Sequence, residues 1–142
     1  MQATLRSAVS FSGIGLHTGR PARVQILPQA ANVGIWFRRS DLDDADMIPA
    51  LYDLVPMSRL CTKLIADDGT EISTIEHIMA ALIGCGIHNA LVEVDGPELP
   101  ILDGSAAPFV RGIVKAGIQQ QAAPIHAIEI LRPVRVEDGA AW

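Results

Sequence analysis

The stretch Ser73-Thr74-Ile75-Glu76-His77-Ile78-Met79-Ala80-Ala81-Leu82 places the tightest limit on how this chain folds. Ile75, Ile78, Met79 and Leu82 recur at helical spacing, with small residues between them. Ser73 or Thr74 stands where an N-cap belongs, and Glu76 falls in the first turn, where a carboxylate suits the helix dipole. Gly84 or Gly86 ends the helix. A helix this apolar must be covered by other elements. An acid and an imidazole side by side at its start therefore need a reason.

Strand patterns lie on both sides of it. Residues 4–12 alternate apolar and polar (Leu5, Val9, Phe11) and predict one strand. Gly13-Ile14-Gly15-Leu16-His17-Thr18-Gly19-Arg20-Pro21 predicts a tight loop with positive-φ positions. Residues 22–27 and 33–38 predict two further strands in antiparallel hairpins. The polar, acidic residues 40–49 predict a loop, and 48–54 and 60–66 predict strands. Asp67-Asp68-Gly69-Thr70 is a turn signal. Residues 89–94 are apolar on both faces apart from Glu93, the pattern of a central strand. Gly96-Pro97-Glu98-Leu99-Pro100 turns the chain. A second helix is predicted over 107–116, with Phe109, Val110, Ile113 and Val114 inward and Gly117 just past its end. Residues 119–124 read as a polar linker. Strand patterning restarts at 125–131 and 134–137, so a domain boundary is expected near Pro124. Residues 1–124 then form the first domain and 125–142 the start of an incomplete second one. The fold class predicted is α+β: a two-layer sandwich with a mixed, mostly antiparallel sheet of four or five strands and two helices on one face.

Composition narrows the class of function. With 142 residues there is room for one domain, and a hydrophobic share of 49% is enough to build its core. Net charge is −5, and the arginines at 38–39, 132 and 135 form no basic run. A nucleic-acid surface needs clustered Lys and Arg, so that class of partner is not expected. The longest apolar run, 78–87, is about half of a bilayer span, so no transmembrane segment is expected. Cys61 and Cys85 are the only cysteines. With no secretory leader pattern at the start, they read as reduced thiols in a cytoplasmic protein.

Glu76-His77 admits two readings. A neutral imidazole is a good zinc ligand, and a nearby carboxylate can take a proton from the zinc's water. Equally, Glu76 can serve the helix dipole while His77 faces solvent or a hydrogen-bond partner. The pair by itself is a short motif. His17 either faces the same cleft or bonds a turn carbonyl. His88 and His126 read as structural or solvated. Asp103, in Asp-Gly-Ser, is a cap or turn residue or a carboxylate presented at a site. Cys61 and Cys85 read as packing residues.

Several motifs in order and in register close the question of kinship. Gly13 to Gly19, Ser73-Thr74-Ile75-Glu76-His77, and Glu98-Leu99-Pro100-Ile101-Leu102-Asp103-Gly104-Ser105-Ala106-Ala107-Pro108-Phe109 closely resemble the N-terminal half of the UDP-3-O-acyl-N-acetylglucosamine deacetylases. These are zinc enzymes of lipid A synthesis in Gram-negative bacteria. Leu60-Cys61-Thr62 and Val134-Arg135-Val136-Glu137-Asp138-Gly139 also look like that family, so the likeness spans the chain.

The resemblance implies that His77 is the first zinc ligand (Fe²⁺ also suits such a site) and that Glu76 is the general base for zinc-bound water. That water attacks the acetamide of the UDP-linked acylated sugar. Leu60, Cys61 and Asp103 match positions near the cleft. The family fold pairs two similar two-layer domains, and the first carries a small inserted sheet, here expected around 40–66. The family's other zinc ligands, a His and an Asp, come from the second domain. So do a catalytic His, a Lys and the acyl-chain passage, and none of these positions is in this sequence. The chain is thus expected to be truncated, a part of a longer protein, inactive alone and dependent on the missing C-terminal domain. The competing expectation is a catalytically silent binding or regulatory module on the same fold.

Overall fold

A computed structural model describes residues 1–44, 46–137 and 139. The elements run β1 (Ala3–Leu5), β2 (Val9–Ile14), β3 (Pro21–Pro28), β4 (Ile35–Arg39), β5 (Ile48–Pro49), a 3₁₀ turn (Tyr52–Leu54), β6 (Lys63–Ile65), β7 (Glu71–Ser73), α1 (Glu76–Gly84), β8 (Ala90–Val94), α2 (Ala107–Ala116) and β9 (Ile118–Gln120).

The main sheet has five strands in the order β2-β3-β8-β4-β5. All its pairings are antiparallel except β4 with β8. The apolar pattern on both faces of β8 is explained by its place between β3 and β4. Register puts Val24 opposite Val94, Ile26 opposite Val92, and Phe37 opposite Val92. These side chains share one face and are fully buried. α1 and α2 pack on each other and feed the same core with Ile78, Leu82, Phe109 and Ile113. The Phe109 ring meets Phe11 of β2 edge to face, centroids 4.9 Å apart. The outcome is the expected α+β class, two layers with the helices on one face. No helix among the described residues is long and apolar enough to cross a membrane.

Several local expectations are corrected. Residues 4–12 are two strands, not one. β1 leaves β2 at Arg6, whose N–H donates to the Gly117 carbonyl (2.8 Å), and it pairs with β9 instead. The expected linker 119–124 is therefore partly strand. It is held by buried amides: Asn89 Nδ2 donates to Gln2 Oε1 (2.9 Å) and to Gln121 Oε1 (2.8 Å). Polar residues read as solvated in the sequence, but here they satisfy one another.

The strand expected over 48–54 shrinks to Ile48–Pro49. Pro49 sits on an edge strand, where its missing N–H is tolerated, and the chain then tightens into the 3₁₀ turn. β5 thus extends the main sheet instead of forming an inserted one. The separate two-stranded piece is β6 with β7, turning at the Asp67-Asp68-Gly69-Thr70 signal, where Thr70 N–H donates to Asp68 Oδ1 (2.7 Å).

α1 has no side-chain N-cap. Ser73 is the last residue of β7, Thr74 takes φ +61°, and Ile75 stands at the cap position. α2 spans the expected residues, with Gly117 at φ +84° past its end. Val114, expected inward, is 61% exposed. The strands expected at 125–131 and 134–137 do not form, and their apolar residues stand in solvent: Ile128 is 96% exposed and Leu131 83%. No described strand lies beside them to complete a ladder. Ala45 of the acidic loop, Asp138 and Trp142 lie outside the described residues.

The core places a sharp contrast on α2. Phe109→Ala should cost about 3–5 kcal/mol, whereas Val114→Ala should stay within about 0.5 kcal/mol of the parent. Urea unfolding of both variants checks this; a Val114→Ala loss as large as that of Phe109→Ala would place Val114 in the core after all.

Candidate functional site

The start of α1 is where the sequence-predicted residues gather. Glu76 is the first helical residue and His77 the second. Both are half-buried. The Glu76 carboxylate is oriented by one backbone donor: Thr62 N–H reaches Oε2 at 3.0 Å. In return the Thr62 carbonyl accepts from Ile75 N–H at 3.2 Å. The segment Leu60-Cys61-Thr62 is therefore strapped to the helix start. Leu60 adopts φ +63° and is 89% exposed, an unusual backbone for a branched residue and a large apolar side chain in water. Cys61 is half-buried with a free thiol, and its carbonyl accepts from the Ser58 hydroxyl.

Asp103 is not drawn into this group by any hydrogen bond. Its Oδ1 accepts from Ser105 N–H (3.0 Å) and Ser105 Oγ (2.8 Å), and Ser105 Oγ in turn accepts from Ala107 N–H (3.1 Å) at the entry to α2. The Ser105 hydroxyl and N–H, with Arg111 beyond, hold the Asp103 carboxyl below its usual value. This is the turn role. Of the remaining histidines, His88 Nδ1 accepts from Ala3 N–H (3.1 Å), a structural bond, and His126 is exposed. Burial pushes the Cys85 thiol up, which leaves it a packing residue.

His77 Nδ1 is buried and has no hydrogen-bond partner. A buried ring nitrogen left unpaired costs free energy, so the imidazole calls for a further group. Among the described residues no three His, Cys, Asp or Glu side chains stand close enough to hold a metal ion together. The donor set suits one corner of a metal site and not a whole one.

A residue that the sequence reading passed over organises the neighbourhood. Glu98 is 2% exposed and accepts from His17 N–H (2.9 Å), Thr18 N–H (2.8 Å) and Thr74 Oγ1 (3.0 Å). Burial alone would raise its carboxyl, but the bonds from His17, Thr18 and Thr74 outweigh that and hold it below the ordinary value. Gly15 is required here: a Cβ on it would lie 2.3 Å from Glu98 Oε2. The glycine-rich loop thus wraps an internal carboxylate, and two of its N–H groups are already engaged. The available signal was a Glu between Pro97 and Leu99 with no basic neighbour, in a chain whose glycine loop lacked an anion.

Fold and site together define a two-layer α+β domain that presents a carboxylate and an imidazole at one helix start, beside an ordered glycine loop. The sequence profile described as UDP-3-O-acyl N-acetylglycosamine deacetylase (LpxC) matches residues 2–142, and the chain belongs to that family. Among curated relatives, the UDP-3-O-acyl-N-acetylglucosamine deacetylases of Shewanella sp. (strain W3-18-1) and Shewanella frigidimarina (strain NCIMB 400) are each 50% identical over 141 residues. The match covers 99% of this chain but 46% of each relative, so the chain spans about half their length.

The lowered Glu98 carboxyl links stability to acid. Its folded value lies below the ordinary 4.5. The unfolded chain therefore takes up the proton first as pH falls, and the stabilisation present above that value is lost as pH drops through the folded one. Glu98→Gln should cost about 1–3 kcal/mol at neutral pH, and the gap to wild type should narrow below pH 4.5. Denaturant titrations across that range check it; a gap that widens in acid would contradict the assignment.

Proposed function

We propose that this chain is the first domain of a zinc-dependent amidohydrolase that removes the N-acetyl group from UDP-3-O-acyl-N-acetylglucosamine in lipid A synthesis, acting in the cytoplasm. The observation that carries the reading is the start of α1. Glu76 is held there by Thr62 N–H beside His77, whose buried Nδ1 has no partner, in a chain of the deacetylase family. Residues 125–142 would begin the second domain, which would complete the site.

His77 would be this domain's ligand to the zinc, with the remaining ligands supplied from beyond this chain. Bound there, zinc would supply Lewis-acid polarisation of the acetamide carbonyl and a more acidic water. This chain's own part is proton handling. With one carboxylate oxygen engaged by Thr62 N–H, the other Glu76 oxygen is left to accept the proton of the attacking water. Addition of that water's oxygen to the carbonyl carbon is followed by cleavage of the C–N bond. The proton passes to the sugar nitrogen, so amine and acetate are released. Leu60, beside Thr62 and exposed, would offer an apolar wall to the substrate, with Cys61 next to it. Asp103 would act through its turn, which sets the entry to α2.

Glu76→Ala in the full-length protein should lower turnover by about 10²–10⁴ while zinc stays bound. His77→Ala should lose zinc as well as rate. Metal analysis with deacetylase kinetics separates the two, and equal loss of metal from both variants would reject this division of labour. Assayed with a separately made second half, this chain should gain zinc and activity that it lacks alone. A well-folded mixture with neither would favour a silent module.

A further inference from the structure

A buried carboxylate normally needs a cation. Glu98 has none among the described ion pairs, and is surrounded instead by neutral donors from segments far apart in the chain. His17 and Thr18 come from the glycine loop, which closes on itself through Gly15 N–H to Arg20 O (2.9 Å) and Gly19 N–H to Gly15 O (3.0 Å). Thr74 comes from the turn between β7 and α1. Backbone bonds lock the same place: Ser73 N–H donates to Pro97 O (2.9 Å) and Leu99 N–H to Ser73 O (3.1 Å).

Thr74 sits at φ +61°, a strained conformation for a β-branched residue. Such a residue persists where its surroundings over-determine it, and its hydroxyl is spent on Glu98 instead of capping the helix. Two residues later the chain reaches Glu76. The direction in which α1 presents Glu76 and His77 is thus set at a turn that Glu98 holds. The same carboxylate holds the backbone N–H of His17, whose imidazole is exposed and makes no hydrogen bond among those described.

We propose that Glu98 is a positioning residue for the reaction, its carboxylate locking the glycine loop to the Thr74 turn and so fixing where His17 stands relative to Glu76 and His77. The inference rests on the deacetylase reading above. It differs from a purely structural role, because the groups it joins are the glycine loop and the turn that leads directly into Glu76 and His77, and a small displacement of that turn is felt by proton transfer more than by the core. It also assigns the glycine loop a task other than cradling a substrate phosphate, since the N–H groups of His17 and Thr18 already serve Glu98.

The test is Glu98→Gln, which keeps the shape but turns an amide N–H toward groups that themselves donate. In this chain, amide hydrogen exchange should quicken roughly tenfold or more at His17 and Thr18 while the amides of α1 keep their protection. In the full-length protein kcat should fall roughly 10- to 100-fold, with KM and zinc content changing less than about twofold. Glu98→Asp should restore part of the rate. In a His17→Ala background, Glu98→Gln should add less than about twofold further loss, because interacting residues are not additive. Unchanged exchange, an unchanged kcat, or losses that multiply in the double variant would each overturn the proposal. Should Glu98→Gln fail to fold, Thr74→Ala removes one donor and leaves the carboxylate charged; it should lower kcat in the same direction, and full activity would count against the lock. A wild-type full-length protein without deacetylase activity would overturn the functional reading itself. An active wild type with an indifferent Glu98→Gln would overturn only the lock.

Discussion

One buried negative charge ties together distant connections of this domain. Glu98 lies beyond β8, Thr74 before α1, and His17 in the loop between β2 and β3, so three connections of the fold converge on a single carboxylate. Taking that charge out of water is unfavourable unless donors replace the lost hydration. Two backbone N–H groups and a hydroxyl do so, and each donor is thereby committed to one geometry. The glycine loop is tied down by these bonds, and Gly15 is the residue that lets it close onto the oxygen.

Beneath this lies an ordinary apolar core. β8 is paired on both edges, and Val92 and Val94 meet Val24, Ile26 and Phe37 under the two helices. That core sets where α1 lies, but not how its first turn is aimed. The aim comes from the polar layer at the helix start, where Thr62 orients Glu76 and Thr74 holds the turn. Separating the two tasks lets a small domain keep a stable interior while leaving His77 Nδ1 without an internal partner. At the other end of the sheet a second polar layer, of Gln2, Asn89 and Gln121, ties β1 and β9 to the main sheet.

Parts of the fold were legible because they are properties of short windows. The central position of β8 follows from apolar residues on both faces, α2 from its periodicity and Gly117, and the β6–β7 hairpin from its Asp-Gly turn. Glu76-His77 was legible as a pair of interest, though its chemistry came from the resemblance to a family. The errors share a cause. Gln119 to Gln121 read as linker, Glu98 only as part of a turn, and Thr74 as a cap, because a window of polar side chains does not show which distant groups they meet. Val114 and the apolar residues between 125 and 136 fail the other way: their pattern predicts burial, but they stand exposed.

By itself the sequence determined the class of fold, the two helices, the central strand and the family. These depend on local periodicity, turn chemistry and a run of motifs in register. Only the tertiary structure decided that β1 turns away to meet β9, that Asp103 spends its carboxylate on a turn, and that Glu98 gathers His17, Thr18 and Thr74. The reason is distance along the chain. The Glu98 bonds reach across 81 residues to His17 and 24 to Thr74, and only the pairing of β3 with β8 and of β7 with the Pro97–Leu99 stretch brings those groups within reach.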